Sequence, residues 1–140
     1  MRLWQRQRLG FRLKRKWQTW LCMPVPADEA NLTAGAMLYH EHCAGCHGLN
    51  GGSESAIAKG MFPKPPQFLQ GHGVTDDPAG ETFWKVKNGI RLTGMPAFGP
   101  SLNEQQLWQV SLLLAHADKL PPGAQKVLSG SPPAGTSAQK

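Results

Sequence analysis

Apolar positions return at helical intervals in three stretches of this chain and alternate strictly in none. Leu32, Gly35 or Ala36, Tyr39 and Cys43 share one face. They predict a helix from about Leu32 to Cys43, with Asn31 as its cap. A second helix is predicted over Ala79 to Asn88. Phe83, Trp84 and Val86 supply its apolar side, and Asn88-Gly89 stops it. A third opens at "SLNE", where Ser101 and Glu104 form a capping box. Leu107, Trp108, Val110, Ser111, Leu114 and Ala115 continue its inner stripe, and Pro121 ends it. No run alternates long enough to make a strand, so the expected class is all-α.

Composition sets the boundaries. The chain has 140 residues, with 16 Gly and 12 Pro, well above average usage. That leaves room for one small domain threaded by turns, whose thin core calls for a cofactor, metal or disulfide. Residues 31–120 are expected to form the domain. Residues 23–30, "MPVPADEA", read as a linker, because Pro24 and Pro26 forbid a regular helix. Residues 121–140 are rich in Pro, Gly and Ser and read as a disordered tail. Between the first two helices runs "GLNGGSESAIAKGMFPKPPQFLQGHG", a connection long enough to imply that it wraps something large and flat.

The formal net charge of +6 belongs to one end. Arg2, Arg6, Arg8, Arg12, Lys14, Arg15 and Lys16 precede the first acid, Asp28. The remainder is close to neutral. Residues 1–22 read as a basic leader, and nothing in the body points to nucleic acid. The leader lacks the apolar centre of a secretory signal. No segment approaches the length of a membrane span. Cys22 follows bulky Trp20 and Leu21, unlike a lipid-modified cysteine, and reads as incidental.

The chemistry concentrates in "YHEHCAGCHG", Tyr39 to Gly48. "CAGCH" is the C-x-x-C-H pattern of c-type haem attachment. Two thiols add to the vinyl groups of adjacent pyrroles, and the next residue brings an imidazole to the iron. Cys43, Cys46 and His47 have that spacing. A zinc site would draw on Cys43, Cys46 and one of His40, His42 or His47, but a closed structural site needs four ligands and no second cysteine pair exists. A thioredoxin-like dithiol expects a βαβ context, and none is present. A second axial ligand is offered by "TGMPAF". There Met95 sits between Gly94, which permits close backbone approach, and Pro96, which stiffens the turn. A thioether is soft and neutral and raises the reduction potential. Met61, Met37, His72 and His116 are weaker candidates. His40 and His42 lie too near the attachment point to reach the opposite face and read as surface residues.

With "CAGCHG", "NGIRLTGMPAF" and "LWQVSLLLA" in that order, the chain resembles the class I cytochromes c, especially small bacterial ones of the cbb3-oxidase subunit type. The resemblance covers about Asn31 to Leu120. It implies three main helices wrapped around one covalently attached haem c, with His47 and Met95 on the iron. It implies that Gly35 and Tyr39 cross Trp108, and that a carbonyl of the "PKPP" turn, Pro65, accepts from the His47 ring. It also makes Arg91 a candidate partner for a haem propionate, with an exposed surface arginine as the equal alternative. With both axial positions filled, the expected function is electron transfer with redox partners such as an oxidase or dehydrogenase. No catalytic acid, base or nucleophile is then required, and the chain is expected not to be an enzyme. The alternative is a haem-based sensor or ligand-binding domain with a labile sixth ligand. Such proteins are matured outside the cytoplasm, which implies the periplasm or the periplasmic face of the inner membrane. Residues 1–22 are then a mis-assigned start or the remnant of a longer leader or anchor, through which any membrane association would run.

Overall fold

The computed structural model describes residues 24–70 and 77–130. The basic leader, Cys22, His72 and residues 131–140 lie outside the described residues. Among those described, all regular structure is helical: α1 (Glu29–His42), α2 (Ala44–His47), α3 (Ala56–Gly60), α4 (Ala79–Asn88), α5 (Glu104–Ala115) and α6 (Pro122–Leu128). The fold is all-α, as expected, with three longer helices and three short ones among the described residues. No helix of the described residues is long and apolar enough to cross a membrane.

The helix starts differ from the sequence reading. Asp28 caps α1, its Oδ1 accepting from the Asn31 N–H at 2.9 Å. Asn31, expected to be the cap, lies inside the first turn. Its side-chain oxygen accepts instead from Gln109 Nε2 on α5, at 2.9 Å. The capping box of α5 is Asn103 with Gln106, not Ser101 with Glu104. Asn103 Oδ1 accepts from Gln106 N–H, and Gln106 Oε1 accepts from Asn103 N–H, each at 2.9 Å. The sequence "SLNEQQL" holds both registers of the box. The one realised starts the helix two residues later.

Helix α1 packs on α5 and on α6, and α5 also packs on α4. The α1–α5 crossing is set by Gly35. A Cβ there would lie 2.8 Å from the Gln109 carbonyl carbon and 3.2 Å from the Leu113 Cβ. Only the missing side chain lets the backbones approach this closely. At Gly35 the crossing thus meets α5 at Gln109 and Leu113. Trp108 stacks on Phe83 of α4, with ring centroids 4.4 Å apart.

Because α5 is covered from more than one side, it is buried along its whole middle. Gln109, Leu112 and Leu113 are inside along with the expected stripe as far as Leu114. Two cores result. One gathers Val25, Leu32, Phe83, Val86, Leu107, Trp108 and Leu112. The other gathers Ala36, Tyr39, Leu113, Leu114, Leu120, Ala124, Val127 and Leu128. Two expected boundaries move accordingly. Val25, read as linker, is core. The stretch after Leu120, read as disordered, carries α6, which buries Ala124, Val127 and Leu128. Pro121 was expected to end α5, but α5 stops at Ala115 with His116 as its C-cap; Pro121 instead starts α6, with Pro122 in the first turn. Trp84, expected on the apolar side of α4, is 55% exposed.

Candidate functional site

A cavity of about 520 Å³ opens between the two cores, and its lining includes Cys43, Cys46, His47 and Met95. Residues far apart in the chain thus converge on one space. The first three arrive together because α1 ends at His42 and the chain turns at once into the single helical turn α2. The turn closes with Cys46 and His47 N–H groups donating to the Cys43 carbonyl at 3.1 and 2.9 Å. Beneath it lies Tyr39, fully buried. Its hydroxyl donates to the carbonyls of Gly48 at 2.9 Å and of His47 at 3.2 Å. Burial pushes the Tyr39 phenol well above its ordinary value, and Cys43 beside it adds to the effect. The hydroxyl is therefore a permanent donor.

His47 is oriented from two sides. Its Nδ1 donates to the Pro66 carbonyl at 2.8 Å, and its ring stacks on Phe68 at 4.6 Å. The acceptor is Pro66, the neighbour of the expected Pro65. The Pro65 carbonyl accepts from Gln67 Nε2, which also donates to Cys46. A carbonyl only accepts, so Nδ1 carries the proton and Nε2 keeps its lone pair. Burial lowers the His47 pKa, against an opposing push from the Pro66 hydrogen bond. The imidazole is thus neutral and able to ligate at neutral pH.

Met95 is brought in by a turn folded onto the end of α4. Gly89 has a positive φ of 70°, and a Cβ there would sit 2.8 Å from the Ala97 nitrogen. Ile90 N–H donates to the Met95 carbonyl at 3.3 Å. Thr93 Oγ1 donates to the Ile90 carbonyl at 2.7 Å and accepts from Met95 N–H at 3.1 Å. Phe98 and Gly99 then tie the chain back to the carbonyls of Val86 and Lys87. Leu92 holds a positive φ of 63°, which costs a non-glycine residue about 1–2 kcal/mol.

The other candidates separate cleanly. Met61 lines the same cavity as Met95, and so does His42, whose ring lies 6.1 Å from that of Phe98. His42 is exposed, as expected, and also reaches the cavity. Its place at the last turn of α1 aims it along the cavity rim. Met37 and His116 are elsewhere, the latter with its ring on the Leu112 carbonyl. Arg91 is exposed and outside the lining. Lys85 lines the cavity instead, paired with Asp77 at 2.5 Å and Glu81 at 2.8 Å. Phe68 had no signal in the sequence beyond being an aromatic in a Pro-rich loop.

The donor set discriminates between chemistries. Burial, with Cys46 adding to it, pushes the Cys43 thiol up to about 12. A dithiol catalyst needs the reverse, a depressed thiol. Among the described residues no group of three or more His, Cys, Asp or Glu is arranged to hold a metal ion. Imidazole, thioether and two thiols on one largely apolar cavity, with Val86, Ile90, Phe98, Val110 and Leu114 in its walls, fit a haem.

The fold and the cavity define a class I c-type cytochrome. The family of cytochrome c oxidase, cbb3-type, subunit III matches residues 30–112, and the chain belongs to the class I c-type cytochromes. Cytochrome c6 of Synechococcus sp. is 33% identical over 93 residues, covering 66% of this chain and 74% of that relative. As a member of the family, the chain is an electron-transfer protein with covalently bound haem c that works with redox protein partners.

Proposed function

We propose that this chain is a monohaem electron carrier, with thioether links from Cys43 and Cys46 and axial ligation by His47 Nε2 and Met95 Sδ. The observation that supports it is the convergence of all four side chains on one cavity. Haem bound there supplies a one-electron Fe(III)/Fe(II) couple. His47, held by Pro66 and Phe68, presents one fixed lone pair. Met95 brings a neutral sulfur, which favours Fe(II) and raises the potential. The apolar walls exclude water from the couple. Filling both axial positions leaves no place for a substrate at the metal, so the protein carries electrons and is not an enzyme. Maturation of such a link places the chain in the periplasm or at the periplasmic face of the inner membrane. Its partners are an oxidase or a dehydrogenase.

The test is the visible spectrum of the protein, produced behind a working export signal in a host that matures c-type haem. A low-spin c-type spectrum with the red-edge thioether–Fe(III) band, indifferent to carbon monoxide, is expected. A c-type spectrum that shifts readily with carbon monoxide would overturn His/Met ligation in favour of a ligand-binding sensor. Mass spectrometry of the native mature N-terminus tests the export route. An intact Met1 on the haem-bearing protein would overturn the reading of residues 1–22 as a leader.

A further inference from the structure

Two loops form the cavity rim, and each is tied down on its own side. The loop before the second long helix is fastened to the haem-attachment turn. Ser55 Oγ donates to the Gly45 carbonyl at 2.6 Å and caps α3 by accepting from Ala58 N–H. Pro66 holds His47, and Gln67 holds the Cys46 carbonyl. The Met95 turn is fastened to α4 through Val86 and Lys87. Met61 reaches from the first loop to the second. Its backbone is fixed by N–H donation to the Ala58 carbonyl at 3.2 Å. Its thioether lies so close to Gly94 that a Cβ there would meet Cε at 2.9 Å and Sδ at 3.1 Å. Gly94 directly precedes Met95, and Met61 lines the same cavity.

We propose that Met61 is a clasp: a positioning residue that joins the loop holding His47 to the turn carrying Met95, and that sets how fast Met95 yields the sixth position. The inference rests on the His47/Met95 reading. An unbranched thioether suits the task, since it fills an irregular gap without a fixed shape. Gly94 suits it equally, since any side chain would push the thioether away. The Met95 turn gains from such a hold because Leu92, within it, keeps a backbone conformation that costs energy. The role is distinct from ligation. Met61 controls an exchange in which the Met95 sulfur–iron bond breaks and an incoming nitrogen takes the position.

The test is displacement of Met95 by imidazole in the haem-bearing protein, followed by loss of the red-edge band. At saturating imidazole the limiting rate reports release of Met95. Met61→Ala is expected to keep the band without imidazole and to raise that rate by about tenfold, the scale of one lost buried side-chain contact. Met61→Leu should stay near wild type. Gly94→Ala should accelerate release by displacing the thioether, and adding Met61→Ala to it should bring little more. An unchanged limiting rate in Met61→Ala overturns the clasp. So does an equal acceleration by Asp28→Ala, which destabilises the fold at the cap of α1, the end of that helix opposite Cys43, and would reveal general loosening. A wild-type protein with no red-edge band and free carbon monoxide binding overturns the axial reading itself, and the clasp with it.

Discussion

At the scale of the residue, the site depends on groups that hold rather than react. His47 has one nitrogen committed to Pro66 and its face on Phe68, so its remaining lone pair has one direction. Met95 is held through its backbone, by Thr93 and Ile90, and supplies the proposed sulfur ligand. Met95→Ala should therefore abolish the red-edge band and make the reduced protein bind carbon monoxide, while the covalent haem persists. Visible spectra of the variant check this. Tyr39 is the hidden support of the attachment turn. Tyr39→Phe leaves two carbonyls short of a donor and should cost about 1–3 kcal/mol of stability, measured by urea unfolding with the haem spectrum retained. Neither Tyr39's role nor that of Phe68 follows from spacing. Each depends on which carbonyl or ring the fold delivers, and the shift from Pro65 to Pro66 is the same lesson one residue wide.

At the scale of the element, contact between α1 and α5 is decided by Gly35. Gly35→Val would drive a branched side chain into the Gln109 carbonyl and the Leu113 Cβ. It should destabilise the protein by about 3 kcal/mol or more, because backbone has to move. Thermal unfolding beside the wild type measures it. Asn103→Ala should cost about 1 kcal/mol, the usual worth of an N-cap, whereas Ser101→Ala should cost little. That contrast checks which residue caps α5. The existence of the longer helices was legible because their apolar residues recur at a helical interval. Their caps were not, since neighbouring polar residues offer equivalent boxes and only packing selects one. Helix α6 was hidden for another reason. Its seven residues begin with the second of two prolines within a Gly- and Ser-rich composition, and what holds Ala124, Val127 and Leu128 is the second core.

At the scale of the whole molecule, the basic charge sits at residues 2–16 and the body is near neutral. Electrostatic steering of partners should be weak. For the chain beginning at Met23, the rate of reduction by its partner should change by no more than about threefold between low and physiological salt, because few charges are there to be screened. Stopped-flow kinetics over a salt series check this, and a steep dependence would mean a charged docking face.

The sequence alone determined the helical class, the haem-attachment motif and the identity of the four proposed haem contacts. Those depend on periodicity and on covalent chemistry, which are local. The tertiary structure decided where the helices touch, that Val25 and α6 belong to the core, and that His42, Met61 and Lys85 share the cavity with Cys43, Cys46, His47 and Met95. Those outcomes depend on close approach at a glycine and on which loop ends meet across the cavity. Such distances arise only when the chain closes on itself, and no window of sequence contains them.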